Sequence, residues 1–313
     1  MKNYKQLLTI GIPTYNRSDT INKCIETLTK LNLHEIVNIL VIDNNSEDNT
    51  YQLLKNKFSG KLLLYKNNTN IGFAKSTIEI FKKCNSKYLL WMSDEDSIKY
   101  DTFIEFLNFL KNKDYYFICS QFYINQRLIR GSLSSTRIKE NSLWDAAAHM
   151  PGLVFETQET INFFNKNVSN EYDYPNVFKY YPQLLIVIFL ITKDIKKCVY
   201  YNNEICFPKF FLKQTHLLGI YGDDYAGVSL RWQIHKESIN YMNYLLKLSP
   251  NSPIINKIIT SQKKRTFMLL RYAVLHESED LIHYFDKETF FFVFLFIFRK
   301  IKIWLLNFKI KLK

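Results

Sequence analysis

The chain has 313 residues, of which 47% are hydrophobic, which is enough to form the core of one large domain or two small ones. The net charge is +13, and six basic residues with no acidic ones lie within positions 299–313. A nucleic-acid binder more often spreads its charge over the folded body, so we expect no nucleic-acid partner. Five widely spaced cysteines without a C-x-x-C pair argue against a zinc site and indicate reduced, buried thiols.

The first hundred residues alternate between predicted strands and predicted helices. The predicted strands are Leu7–Ile12, Ile36–Ile42, Lys61–Lys66 and Tyr88–Met92. The predicted helices run from an N-cap at Ser18 or Asp19 to about Lys30, from Thr50 to Phe58 and from Phe73 to Cys84. This alternation predicts an α/β fold with a mostly parallel sheet and helices on both faces.

Three polar clusters each follow the carboxyl end of a predicted strand: Pro13–Arg17, Asp43–Asp48 and the acidic triplet Asp94–Asp96. Ligands of such sheets bind beyond the carboxyl ends of the strands, so we expect the clusters to form one site. Asp94 and Asp96 can point the same way, and two neighbouring carboxylates repel unless a cation lies between them. Their hard oxygen ligands suit Mg²⁺ or Mn²⁺. The alternative is a solvated turn in which Asp96 or Ser97 caps the next helix.

After residue 100 the pattern is less regular. The predicted segments are, in order, a helix Thr102–Leu110, a strand Tyr115–Tyr123, a loop Asn125–Lys139, a strand Leu153–Phe155, a helix Gln158–Phe164, a loop Asn165–Asn176, a helix Val177–Thr192, short strands Val199–Tyr201 and Ile205–Phe207, and helices Ala226–Leu248 and Pro253–His276. We therefore expect a helical C-terminal extension beyond the sheet.

The last segment combines many aromatic residues with many lysines. Nine apolar residues, Phe290–Phe298, precede the basic segment 299–313, where Trp304, Leu305 and Phe308 share a helical face. This pattern predicts a helix that lies on an anionic membrane surface. The alternative is a terminal helix docked on the domain with a basic outer face. The N-terminus shows no signal-peptide pattern, and no stretch reaches the roughly 18 uninterrupted apolar residues of a membrane-spanning helix, so we expect a cytoplasmic, peripheral protein.

Four motifs occur in a specific order: strand–PTYNR–helix, strand–DNNSEDNT, NIGFAKS and strand–SDED. Each motif alone is weak, but the ordered set resembles the family 2 glycosyltransferases, nucleotide-sugar-dependent enzymes with the GT-A fold. The resemblance is good over roughly residues 7–100 and looser to about residue 210. It implies a GT-A catalytic domain over 1–210. The residue pattern beyond it predicts a helical region over 211–288 and the membrane-associating tail over 289–313.

The resemblance also implies roles for the residues at the motif positions. The nucleotide sugar would contact Pro13, Thr14, Tyr15, Arg17, Asp43, Asn44, Ser46, Asn70, Gly72, Lys75, Asp94 and Glu95, with the side chain of Glu95 expected to point away from the site. The Tyr15 ring would lie near the base, and Asp43 would accept a hydrogen bond from it. Asp96 would ligate Mn²⁺ or Mg²⁺, and Asp94 would contact the ribose or the metal.

Inversion at the sugar requires a general base that deprotonates the acceptor hydroxyl. The candidates are Asp173 and Glu171 in NEYDYPN, with Asp223 and Asp224 as alternatives. The roles of His149, Arg231 and His235 can each be interpreted in two ways. His149 could contact the acceptor or the leaving group, or be structural. Arg231 or His235 could fold over the diphosphate, or belong to a salt-bridged helix surface.

The sequence therefore predicts an inverting, metal-dependent transferase at the inner face of the cytoplasmic membrane. The donor would be a nucleoside-diphosphate sugar, with uridine diphosphate favoured. The acceptor would be a hydroxyl of a bacterial surface-glycan precursor, such as lipooligosaccharide, O-antigen or capsule, including lipid-linked forms. The alternative is a catalytically degenerate, membrane-associated binding or scaffold protein. A nucleotidyltransferase would need a glycine- and lysine-rich phosphate loop after the first strand, but the only glycine there, Gly11, lies before the turn and not within it.

Overall fold

The structure is a computed structural model that describes residues 3–124, 126–147, 149–166, 170–209 and 228–262. Several predicted features lie outside the described residues. They are the tail, most of the predicted helix Pro253–His276, Asp223, Asp224 and the side chain of Glu171.

Eight strands form one mixed sheet: β1 Leu8–Thr14, β2 Asn38–Asp43, β3 Leu63–Lys66, β4 Tyr88–Trp91, β6 Phe117–Ile124, β7 Arg127–Arg130, β8 Leu153–Glu156 and β9 Cys198–Glu204. Their order is β3-β2-β1-β4-β8-β6-β7, with β9 also paired to β6. The first four strands pair in parallel, whereas β8 is antiparallel to both β4 and β6. A separate antiparallel pair joins β5 (Asp96–Ile98) to β10 (Cys206–Pro208). The predicted, mostly parallel sheet is confirmed.

The helices are α1 Ser18–Lys30, α2 Leu33–Ile36, α3 Thr50–Lys57, α4 Phe73–Lys83, α5 Tyr100–Leu110, α6 Leu143–Ala147, α7 Thr157–Lys166, α8 Asn170–Asp173, α9 Pro175–Tyr180, α10 Pro182–Asp194 and α11 Val228–Leu248. Residues 253–262 are also helical. None of the helices in the described part of the chain has the length and apolar run needed to span a bilayer.

Side chains alternate between the two faces of the sheet, as β2 illustrates. Ile39 and Val41 lie in one core, which contains residues of α1, α2, α3 and α5. Leu40 and Ile42 lie in the opposite core, with residues of α4, α7, α9, α10 and α11. The prediction of helices on both faces is confirmed, and α11 shares its core with the sheet. All five cysteines are buried and free, as the sequence predicts.

Gly11 allows α4 to pack closely against β1. A Cβ atom at this position would lie 2.5 Å from Cγ2 of Ile80 and 3.1 Å from Cδ1 of Leu89. Any larger residue would therefore push α4 away from the sheet. Because the first turn of α4 contains Phe73 and Ser76, this close packing sets the position of both residues at the end of β1.

The predicted N-cap of α1 is wrong. The helix begins at Ser18 and its N-cap position is Arg17, which makes no side-chain capping bond. Instead, the carboxylate of Asp48 accepts from the backbone N–H of Ser18 at 3.3 Å and from that of Thr50, in the first turn of α3, at 3.0 Å. One carboxylate thus serves two helix N-termini, where negative charge is stabilising.

Three predictions after residue 120 are also wrong. The predicted loop 125–139 contains β7, which pairs with the end of β6. The predicted single helix Val177–Thr192 is two helices, because Pro182 disfavours helical geometry at Tyr181, whose φ is −138°. The predicted loop 165–176 contains α8 and the start of α9.

Candidate active site

A cleft of about 260 Å³ lies beyond the carboxyl ends of β1 and β4. The backbone register places Thr14 beside Asp43 and Gly11 beside Trp91, so the polar clusters after β1, β2 and β4 meet at one edge. The residues that line the cleft are Pro13, Thr14, Tyr15, Arg17, Asn44, Asn70, Phe73, Ser76, Ser93, Asp94, Glu95 and Met150.

Asp94 is held on both carboxylate oxygens. Nη1 of Arg17 lies 2.9 Å from Oδ1, and the hydroxyl of Thr14 donates to Oδ2 at 2.9 Å. The same Nη1 lies 2.6 Å from Oε1 of Glu95. The expectation that Glu95 points away is therefore wrong, because its carboxylate lines the cleft and shares the guanidinium with Asp94. Burial raises the pKa of Asp94, and the charge of Arg17 opposes that shift.

Asp96 does not line the cleft, because β5 turns its side chain into the protein. Its Oδ2 accepts from the backbone N–H of Ser93 at 2.9 Å, and the residue is 2% exposed. Burial raises the pKa of Asp96 to about 8, and the neighbouring charges of Asp94 and Glu95 add to the shift. β10 covers this segment by pairing Pro208 with Asp96.

Asp43 shapes the turn after β2 from a fully buried position. Its Oδ2 accepts from the backbone N–H of Ser46 at 3.2 Å, and its Oδ1 accepts from the Ser46 hydroxyl. The Ser46 hydroxyl oxygen in turn accepts from the backbone N–H of Asn16 at 2.9 Å, which links this turn to the one after β1. Asp43 and Ser46 are therefore adjacent to the cleft without lining it.

Asn44 connects the same turn to the loop before α4. Its amide donates to Oδ1 of Asn70 at 2.7 Å, and its Oδ1 accepts from the backbone N–H of Ile71 at 3.1 Å. Both asparagines line the cleft. Gly72 follows with φ +80°, a conformation that favours glycine, and Lys75 lies exposed in the first turn of α4, outside the cleft lining.

A buried arginine supports the opposite wall of the cleft. Arg130, in β7, donates from Nη1 to the carbonyl of His149 at 2.6 Å and from Nη2 to the carbonyl of Ser120 at 3.0 Å. These bonds fix the segment that carries Met150 into the cleft. His149 stacks on Phe122, and burial together with the charges of Arg130 and Arg231 lowers its pKa to about 4.

Asp173, the candidate base whose side chain lies among the described residues, is not in this cleft. Asp173 lines a second groove with Tyr174 and, from α11 and the residues after it, Asn240, Asn243, Tyr244, Leu246, Lys247 and Pro250. That groove shares no lining residue with the cleft around Asp94. On α11, Arg231 is exposed and His235 is buried, and neither lines the cleft.

Sequence reasoning did not assign Phe73, Ser76, Ser93 or Met150 to the site. Phe73 stacks on Trp91 with ring centroids 5.7 Å apart, so the apolar wall of the cleft continues the core. For Phe73 and Ser76, the sequence did carry a signal: both lie in the first turn of the helix predicted to begin at Phe73. Met150 is positioned by the contacts of Arg130, which no local pattern reveals.

The carboxylates of this site fit a divalent cation that is held partly by substrate. Mg²⁺ is usually bound by one or two protein carboxylates together with phosphate oxygens and water. Asp94 faces the cleft where a diphosphate could approach, and Asp96 lies directly behind it. No group of three or more histidine, cysteine, aspartate or glutamate side chains forms a complete metal cage among the described residues.

Solved structures of known proteins share this fold. The S. aureus TarS 1–349 crystal structure matches with a TM-score of 0.58 and 14% identity, over 82% of this chain and 71% of that chain. Its complex with UDP-GlcNAc matches with a TM-score of 0.57 and 14% identity, over 82% and 72% of the respective chains. The mannosyltransferase PcManGT from Pyrobaculum calidifontis, in complex with GDP-Man and Mn²⁺, matches at 0.52 and 11% identity, over 89% and 78%. This chain thus has the GT-A fold of glycosyltransferases.

The family follows from the sequence. The family model described as glycosyl transferase family 2 matches residues 9–174, just over half of the chain. The chain belongs to glycosyl transferase family 2. A search of curated proteins gives no match.

Proposed function

We propose that this enzyme is an inverting, metal-dependent transferase that moves a sugar from a nucleoside diphosphate to a hydroxyl of a bacterial surface-glycan precursor. The observation that carries the proposal is the cleft, which combines two carboxylates, an arginine, two asparagine amides and two aromatic rings at the carboxyl ends of β1 and β4. Ligands of open α/β sheets bind at this edge.

The donor would lie along the cleft. Tyr15 offers a ring face for a nucleobase, and the second N–H of the Asn44 amide, beside the one that donates to Asn70, can donate to its polar edge. Arg17 can form two parallel hydrogen bonds to a diphosphate. UDP-GlcNAc and GDP-Man in the complexes of similar structures support a nucleotide sugar, and we take UDP as the first choice.

Asp94 would hold Mn²⁺ or Mg²⁺ together with the diphosphate, with Asp96 as a further ligand only if its side chain turns outward. The bound cation would neutralise charge that develops on the leaving nucleoside diphosphate. Thr14 and Arg17 fix the orientation of Asp94 before any cation binds, so this chain supplies an oriented carboxylate at the cleft.

Inversion by a single displacement requires a base on the acceptor side. We retain Asp173 as the proposed base. The groove that contains Asp173 shares no lining residue with the donor cleft. Asp173 can therefore act as the base only if one acceptor molecule reaches both the groove and the cleft. Asp173→Asn should then lower kcat strongly without changing nucleotide affinity. Unchanged kcat would assign the base to another residue.

The first test is thermal stabilisation by UDP, measured with and without Mn²⁺. We expect UDP with Mn²⁺ at a hundred times its dissociation constant to stabilise the fold by about 2.7 kcal/mol, seen as a raised Tm. Asp94→Asn should abolish the metal-dependent part of the shift, and Asp96→Ala should reduce it if Asp96 becomes a ligand. No shift with any nucleoside diphosphate would contradict nucleotide binding.

A second measurement separates an active enzyme from a scaffold with the same fold. The wild-type protein is expected to release UDP from a panel of UDP-sugars in a Mn²⁺-dependent manner, through slow hydrolysis or transfer. Donor binding without any turnover would instead favour the catalytically degenerate alternative.

A further inference from the structure

Arg17 occupies a position in the cleft that a cation would compete for. One nitrogen, Nη1, contacts Oδ1 of Asp94 at 2.9 Å and Oε1 of Glu95 at 2.6 Å. The other oxygen of Asp94 accepts from the hydroxyl of Thr14. Both oxygens of Asp94 are therefore engaged by groups of the chain itself.

This ion pair is weakly screened by solvent. The side chains of Arg17, Asp94 and Glu95 are 22%, 6% and 20% exposed, respectively. In the described part of the chain, Arg17 is the residue that forms ion pairs with the acidic triplet. Attraction between charges in such surroundings is stronger than between exposed side chains.

A divalent cation bound by Asp94 would lie against this guanidinium and share its carboxylate. Like charges at this distance repel, so Arg17 would have to release Asp94 before or as the cation binds. A diphosphate in the same cleft provides the planar guanidinium with a new anionic partner, to which it can donate two parallel hydrogen bonds.

We propose that Arg17 is an exchangeable counter-ion: it holds Asp94 and Glu95 when no donor is bound, and it moves to the diphosphate of the donor when a divalent cation takes the carboxylates. The inference rests on the proposed function of the cleft. It makes the binding of cation and nucleotide interdependent, because each ligand favours the arrangement of Arg17 that the other needs.

The test compares Mn²⁺ binding to wild type and Arg17→Gln, with free Mn²⁺ measured by electron paramagnetic resonance. Without nucleotide, the variant should bind Mn²⁺ more tightly, by about tenfold, a coupling of ordinary size. UDP without metal should bind the variant more weakly, by a similar factor. The factor by which UDP tightens Mn²⁺ binding should fall in the variant.

Two controls keep the result interpretable. Arg127→Gln removes the same charge from an exposed position of β7 and should leave Mn²⁺ affinity unchanged. Arg17→Lys keeps the positive charge but on a shorter side chain that cannot form the same pair of contacts, so its affinity for Mn²⁺ should lie between those of wild type and Arg17→Gln. This variant also keeps the test possible if Arg17→Gln does not fold.

The outcomes separate this inference from the proposed function. If Mn²⁺ alone binds Arg17→Gln or Arg17→Lys no more tightly than wild type, the exchange is overturned. If Mn²⁺ alone binds the variants more tightly but UDP binds neither wild type nor variants, the competition at Asp94 stands and the assignment of the anion as a nucleoside diphosphate fails.

Discussion

The lack of a Cβ atom at Gly11 lets α4 pack closely on β1 and so positions one wall of the cleft. The substitution Gly11→Ala would place a Cβ atom 2.5 Å from Cγ2 of Ile80. We expect a loss of about 1–3 kcal/mol in the free energy of unfolding, measured by urea denaturation, because the contact is over-packed. The displaced α4 should also weaken UDP binding, since Phe73 lies in its first turn.

A double mutant tests the cause of that loss. Ile80→Ala removes the clashing methyl group at its own cost in cavity formation. If the steric explanation is right, Gly11→Ala should cost less in the Ile80→Ala background than in wild type. Equal costs in both backgrounds would show that the clash with Ile80 is not the source.

His149 should make stability depend on pH. Its pKa is lowered to about 4 by burial and by the charges of Arg130 and Arg231, whereas an unfolded histidine titrates near 6.5. Between these values the unfolded chain binds a proton that the folded chain does not, so stability falls as pH falls from about 6.5 toward 4. The slope from this group is at most about 1.4 kcal/mol per pH unit.

The measurement is the Tm of wild type and His149→Gln across this range. The variant should lose less stability between pH 7 and pH 4.5, because glutamine does not titrate. Parallel curves for the two proteins would remove His149 from the explanation.

At the scale of elements, α11 caps a neighbouring helix. Oε2 of Glu237 accepts from the backbone N–H of Val177 at 2.8 Å, and Oε1 accepts from the side-chain amide of Asn176 at 2.6 Å. Both donors lie in the first turn of α9, where a negative charge is favourable. α11 is therefore attached to the sheet domain by a charged capping contact as well as by its apolar face.

Loss of this contact should be measurable. Glu237→Ala is expected to lower the free energy of unfolding by about 1.5–3 kcal/mol in urea denaturation, as for a hydrogen bond to a charged group. Glu237→Gln should cost less, since its carbonyl oxygen can keep one bond. Asn240→Ala, at an exposed position of the same helix, serves as the control and should have little effect.

The sequence predicted the elements whose patterns are local. The strands β1 to β4 and the helices between them follow from apolar runs and turn residues. β7 could not be predicted, because it ends in a buried charge: Arg130 donates to the carbonyls of Ser120 and His149 and lies over the Phe122 ring, contacts that no local pattern reveals. In the site, the same limit applies to Glu95, whose direction depends on Arg17 across the cleft.

At the scale of the whole molecule, the charge distribution suggests how the enzyme reaches its acceptor. The tail 289–313 holds the basic residues of 299–313 behind nine apolar residues. We propose that it binds anionic membrane surfaces, to which each basic residue contributes about 1 kcal/mol. Deletion of 289–313 should therefore abolish co-sedimentation with vesicles that contain phosphatidylglycerol, while preserving the UDP-dependent rise in Tm.

A charge variant separates electrostatic from apolar attachment. Replacement of Lys302, Lys309, Lys311 and Lys313 by glutamine should weaken binding to anionic vesicles and leave weak binding to neutral ones unchanged. If the deletion variant still sediments with the vesicles, the membrane-contacting surface lies elsewhere on the protein.

The pairing of β5 with β10 has a consequence for the order in which the enzyme is assembled. The acidic triplet lies near the end of the first four strands, which can pair as soon as they are synthesised. Yet Pro208 pairs with Asp96, and the backbone N–H of Lys209 donates to the carbonyl of Glu95 at 3.0 Å. These bonds close a long loop and cannot form until residue 209 has left the ribosome. The nascent chain can therefore pair its first four strands well before it completes the edge of the cleft that contains the acidic triplet.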